Sequence, residues 1–61
     1  MNHENALLRP DEVTRMLRIS NVTLARWRQN GKGPAFIRLG YNRVVYRRSD
    51  VERWLIERKE S

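Results

Sequence analysis

Between Ile19 and Gly31 the chain reads ISNVTLARWRQNG, and this stretch holds the residues whose types and spacing can do recognition chemistry. Ser20 is a helix-starting residue and Gly31 a helix-ending one. With side chains placed about 100° apart around a helix, Leu24 and Trp27 lie about 60° from each other and define an inward side. Val22, Arg26 and Gln29 fall opposite, flanked by Asn21 and Ala25 on one side and Thr23 on the other. An arginine fork fits guanine O6 and N7, an amide fits adenine, and small apolar groups meet thymine methyls. The face therefore has the composition that a duplex major groove asks for. A plainer reading stays open, in which Val22 and Ala25 pack against a neighbouring element and Arg26 alone faces outward.

The distribution of charge supports a polyanionic partner. The 61 residues carry a net charge of +6, and all seven acids lie near the two ends. No acid occurs between Val13 and Ser49, an interval with nine bases: Arg15, Arg18, Arg26, Arg28, Lys32, Arg38, Arg43, Arg47 and Arg48. Eleven of the thirteen bases are Arg, whose planar fork suits phosphate and guanine edges better than an ammonium does. Solubility alone does not require such segregation, whereas a nucleic-acid partner does.

The elements that must position these residues follow from local signals. A chain of this size makes one small domain that buries only about 60% of its unfolded surface, and it has no Cys to staple it. Residues 1–6 read as a disordered tail, 7–58 as the folded domain and 59–61 as a second tail. The stretch LLRPDEVTRMLRI reads as a first helix. Arg9 is its N-cap and Pro10 its first residue, where a missing N–H costs nothing. Asp11 and Glu12 suit the positive end of the helix dipole, and Leu8 and Val13 have hydrophobic-staple spacing. Val13, Met16 and Leu17 form the stripe to be buried. A three-residue turn then leads into the second helix, the spacing of a helix-turn-helix.

After GKGP, the runs AFIRL and VVYR flank GYNR and predict a short antiparallel hairpin, with Gly40 and Asn42 as residues tolerant of positive φ. The final run SDVERWLIERK predicts a third helix, with Ser49 and Glu52 at capping-box spacing. Val51, Trp54 and Leu55 form its inward stripe. The predicted fold class is α+β: a winged helix-turn-helix with a two-stranded hairpin as the wing. On that wing Arg38 and Arg47 occupy the strands, with Tyr41, Asn42 and Arg43 at the tip. A narrow basic projection of this kind reaches a minor groove or the phosphate backbone. Trp27, Trp54, Tyr46 and Phe36 are read as core, since without them there is too little to bury.

Other classes find little support. His3 stands alone in the first tail, so no metal site and no cofactor are expected. Ser20, Ser49, Asp50 and Glu52 are accounted for as caps and first-turn acids, and no general base has a nucleophile beside it. Apolar runs of two or three residues fall far short of the roughly 20 that span a bilayer. MNHENALL lacks the basic start of a signal peptide. A soluble cytoplasmic protein is expected, with no membrane role and no enzymatic activity. RNA binding would need exposed stacking aromatics, of which Tyr41 is the one candidate.

The span LLRPDEVTRMLRISNVTLARWRQNGKGPAFIRLGYNRVVYRRSDVERWL, Leu7 to Leu55, resembles the small winged-helix proteins of the excisionase and AlpA-like group within the MerR-like superfamily. The matching elements are LLRPDEV at the first helix, ISNVTLARW as recognition helix, GPAFIRLG leading into the wing and RVVYRRSDVERWL leading out of it. The resemblance implies a second helix in the major groove with Val22 and Arg26 as contacts, and the helical-face reading adds Asn21, Ala25 and Gln29 to the expected readers. The resemblance also implies backbone contacts from Thr23 and Arg28 and a wing contact from Arg43; the reading of the helix and hairpin adds Ser20, Arg38 and Arg47 as expected backbone contacts and Tyr41 and Asn42 as expected wing contacts. Arg9 stands where this group usually has Ser or Thr, Arg18 where Gly is common, and Val22 where a polar residue is frequent. Members of the group serve phages and other mobile elements. Many bend attachment-site DNA so that an integrase excises the element, binding direct repeats head to tail; others activate or repress promoters. The resemblance thus implies double-stranded DNA as partner, with a site-specific integrase and neighbouring copies of the chain as further partners, in a bacterial cytosol or nucleoid.

Overall fold

A computed structural model describes residues 6–59, so of the tails expected over residues 1–6 and 59–61, residues 1–5 and 60–61 lie outside the described residues, while Lys59 ends the last helix. The elements run β1 (Leu7–Leu8), α1 (Pro10–Leu17), α2 (Asn21–Asn30), β2 (Ile37–Gly40), β3 (Arg43–Arg47) and α3 (Arg48–Lys59). The three strands form one antiparallel sheet in the order β1-β3-β2. This is a winged helix-turn-helix in which the first helix starts at Pro10 behind the Arg9 cap, as its local signals predict, and a short strand that they do not announce precedes it.

Leu7 and Leu8, ahead of the cap, pair with Arg47 and Tyr46. Pro10 biases the residue before it away from helical geometry. Arg9 accordingly takes an extended conformation (φ −79°, ψ 157°) and serves as N-cap. Its side chain cannot accept a backbone N–H. Glu12 compensates by taking the Arg9 N–H on its carboxylate at 2.8 Å. At the other end of α1, Arg18 sits in the left-handed region (φ 57°, ψ 48°), and the Ile19 N–H reaches back to the Thr14 carbonyl at 3.1 Å.

Helix α2 has the bounds its caps predict. Ser20 Oγ accepts the Thr23 N–H at 3.1 Å, Gly31 takes a left-handed φ of 70°, and the Lys32 N–H closes on the Trp27 carbonyl at 2.8 Å. Helix α3 begins differently from expectation. Strand β3 runs straight into it at Arg48, so Ser49 lies inside the first turn, and the Ser49–Glu52 capping box does not form. Glu52 instead accepts from Arg48 Nε at 3.2 Å, while the Arg48 N–H donates to the Ala6 carbonyl at 2.9 Å.

The core is small: Val13, Leu24, Tyr46 and Val51 are fully buried, with Leu8, Leu17, Ile19, Trp27, Phe36 and Val44 packed around them. Two residues expected in the stripes are not there, since Met16 is 39% and Leu55 40% exposed. In α1 the buried pair is Val13 and Thr14, which turns the inward direction about 100° away from Met16. Thr14 tolerates burial because its hydroxyl donates to the Asp11 carbonyl at 2.7 Å. In α3, Trp54 leans toward Trp27, their ring centroids 5.3 Å apart, and carries the helix away from Leu55. Both tryptophans are half-buried rather than enclosed. Gly33 borders them at φ 79°, where a Cβ would come within 2.8 Å of Trp27 Cε3.

Candidate nucleic-acid interface

The α2 face opposite Leu24 is open. Asn21, Arg26 and Gln29 are exposed, and Val22 is 64% exposed, so it packs on neither the wing nor α3. Ala25 is half-buried and lines a groove of about 210 Å³ shared with Gln29, Arg38, Tyr41 and Asn42. The two readings of this face therefore divide between residues: Val22 points to solvent, and Ala25 borders the hairpin. At the start of the helix Ser20 Oγ donates to Thr23 Oγ1 at 3.0 Å. The Thr23 hydroxyl hydrogen remains available to an acceptor, such as a phosphate oxygen.

Arg28 occupies an unforeseen place. Its Nη1 donates to the hydroxyl of the buried Tyr46 at 3.0 Å, tying the inner edge of α2 to the central strand β3. It also lines both the groove beside the wing and a notch of about 260 Å³ that includes Arg9 and Arg43. No sequence signal could reveal this bond, because its partners are 18 positions apart and in different kinds of element.

The hairpin pairs Ile37 with Val45, Arg38 with Val44 and Gly40 with Arg43, with an irregularity between Arg38 and Gly40. Tyr41 and Asn42 form the tip. Neither Gly40 nor Asn42 uses the positive φ expected of them; among the described residues the left-handed ones are Arg18, Gly31 and Gly33. Directly paired residues share a face and successive ones alternate. Arg38 thus stands on the face of Val44 and Tyr46, whereas Arg43 and Arg47 stand on the other. Arg38 lies against the Phe36 ring, 5.8 Å from its centroid, on the side of the groove with α2. Arg47 pairs with Leu7 at the far end of β3. The structure thus brings Ala25, Gln29, Arg38, Tyr41 and Asn42 together and leaves Arg47 apart from them. The tip is open: Tyr41 is 93% exposed, and Asn42 and Arg43 are exposed.

Electrostatics follow the same division. Arg9 lies 3.6 Å from Asp11 and 3.8 Å from Glu12, and Arg48 lies 3.2 Å from Glu52, all at exposed sites where such pairs contribute little to stability. The acids thus stay near the ends of the chain, while α2 and the wing have none. Among the described residues, no group of three or more His, Asp or Glu side chains comes together to hold a metal. No helix there is long and apolar enough to cross a membrane.

A helix-turn-helix domain family model matches residues 7–59, spanning every element described above. The chain belongs to the helix-turn-helix domain family. No curated protein and no solved structure matches it. Helix-turn-helix membership supports double-stranded DNA as the partner, and α2 is the second helix of the motif, the one that DNA-binding helix-turn-helix proteins lay in the major groove.

Proposed function

We propose that this chain is a sequence-specific duplex DNA-binding protein that acts as an excisionase. It would bend attachment-site DNA in the cytoplasm so that a site-specific integrase removes a mobile element. The observation that carries the DNA reading is the continuity between an acid-free, open face of α2 and the basic wing through the groove at Ala25, Gln29, Arg38 and Tyr41. In this reading α2 enters the major groove with Asn21, Val22, Ala25, Arg26 and Gln29 toward base edges. Ser20, Thr23, Arg28 and Arg38 meet phosphates, and the tip residues Tyr41, Asn42 and Arg43 enter the adjacent minor groove. Arg47, on the far end of the sheet, reaches phosphate only where the DNA curves around the domain. The resemblance of Leu7–Leu55 to excisionases supports the recombination role, with head-to-tail copies of the chain as neighbours on the DNA.

Selection of bound duplexes from a random pool, at low and at physiological salt, tests both levels. Short direct repeats about one helical turn apart are the expected result. A palindrome would replace the recombination role with that of a dimeric transcriptional regulator. Enrichment of nothing, with binding lost as salt rises, would reduce the α2 face to a charged surface.

A further inference from the structure

The chain has three glycines, and the fold accounts for two. Gly31 and Gly33 lie at φ of 70° and 79°, in the left-handed region that glycine enters without a Cβ penalty. Gly33 is required twice, because a Cβ there would strike Trp27. Gly40 differs on both counts. Its φ is not in that region, and nothing lies within 4 Å of the position its Cβ would take. The irregularity after Arg38 therefore makes no demand that only glycine could meet. A glycine in a strand is a liability to folding, since it has more freedom to lose and no side chain to pack. Neither backbone conformation nor space at this position requires a glycine.

Gly40 is the last residue of β2 and pairs directly with Arg43, so its missing side chain would stand on the same face as the Arg43 guanidinium. It is followed at once by Tyr41 and Asn42 at the exposed tip. We propose that Gly40 is a DNA contact in its own right: its bare Cα is where a deoxyribose or phosphate edge comes closest to the wing. Any side chain there would hold the groove wall away from Arg43. Gly40 thus sets the depth to which the wing seats, and Arg43 supplies the charge that draws it in. This inference rests on the proposed placement of the wing against DNA.

The test uses the full chain and a duplex bearing its selected site, with Gly40→Ala, Gly40→Val and Arg43→Ala measured for melting temperature and affinity. Gly40→Ala is expected to melt at the parent temperature or higher, because the new Cβ meets no atom and the unfolded chain loses freedom. Its affinity should fall at least about tenfold, the size of one lost contact at a protein–DNA interface, and Gly40→Val should fall further. Hydroxyl-radical cleavage should show the loss confined to the deoxyriboses that the wing protects. If Arg43→Ala weakens binding but both Gly40 variants bind like the parent, the wing reading stands and this inference falls. If none of the three alters affinity, the wing does not touch DNA and both fall. A clear drop in melting temperature for Gly40→Ala would show that the fold itself needs the glycine, which also overturns the proposal.

Discussion

Helix α2 and the wing are the two halves of the proposed interface, and the domain holds them in different ways. The helix is anchored on its inner side at several points: Leu24 is buried, Trp27 packs at a tilt against Trp54, and Arg28 bonds to Tyr46. Its two ends are closed by Ser20 and Gly31. The wing is anchored toward its base, where the Tyr46 ring lies 6.1 Å from that of Phe36 and Val44 packs against the core, and Tyr41 at its tip is in solvent. Side chains on a rigid element hold a fixed geometry toward base edges, which is what discrimination needs. Charges on an open tip supply attraction to phosphate without carrying sequence information. In the proposed interface the helix would thus select and the wing hold.

The largest expected effect tests the anchoring itself. Leu24→Ala should cost about 2–5 kcal/mol of stability, the range for emptying a filled core site, which is a large share of what so small a domain has. Tyr41→Ala at the tip should change stability by no more than about 0.5 kcal/mol. Denaturant unfolding of the two variants would settle the contrast. A Leu24→Ala cost close to that of Tyr41→Ala would mean that α2 is not held by the core as described.

A somewhat smaller effect separates selecting from holding. Arg26→Ala should lose about 1–3 kcal/mol at the selected site and little on a scrambled duplex. Arg43→Ala should weaken both duplexes alike and lower the slope of log affinity against log salt by about one. Titrations of both variants on both duplexes give the required four affinities at each salt. The division of labour disappears if the two variants change the ratio of selected to scrambled affinity by the same factor.

Smaller again is the capping of the recognition helix. Ser20→Ala removes the acceptor of the Thr23 N–H and should cost about 1 kcal/mol, visible as a lower melting temperature. Since Ser20 stands at the end of α2 that meets the turn, the same change should loosen the helix more than the wing. Amide exchange localised to residues 21–24 would register this, and faster exchange throughout the hairpin instead would contradict it.

Why α2 and the hairpin are legible from the sequence and strand β1 is not comes down to the range of the forces involved. The cap at Ser20 and the stop at Gly31 act within a turn of the residues they control, so reading neighbours is enough. Strand β1 exists because Leu7 meets Arg47 across most of the chain, and nothing near Leu7 announces that partner. Local spacing also misleads at Ser49 and Glu52. Their separation fits a capping box, but β3 continues directly into the helix and leaves no free N-cap position for Ser49 to occupy. At the site, the residue types and the outward direction of Val22 and Arg26 follow from helical periodicity. The Arg28–Tyr46 bond and the facing of Arg38 and Arg47 to opposite sides of the sheet depend on tertiary placement and strand register.

The smallest expected effect concerns the turn that sets α2 at its angle. Arg18 adopts a left-handed conformation that a side chain resists by about 1–2 kcal/mol, in a position where glycine would rest without strain. Glycine in turn has more unfolded-state freedom to lose, worth about 0.5–1 kcal/mol. Relief of strain outweighs that loss, so Arg18→Gly should stabilise the domain by roughly 0.5–1 kcal/mol. The exposed guanidinium, in contrast, belongs to the acid-free interval, and its removal should weaken DNA binding slightly and equally on selected and scrambled duplexes. A stabler variant that binds less well would show that the turn gives up folding free energy for charge beside the recognition helix. In that case Arg18 works as the wing arginines do, although it sits next to α2. A variant that is less stable would mean that the arginine side chain supports the turn, and α2 would then owe part of its rigid placement to a residue outside the core.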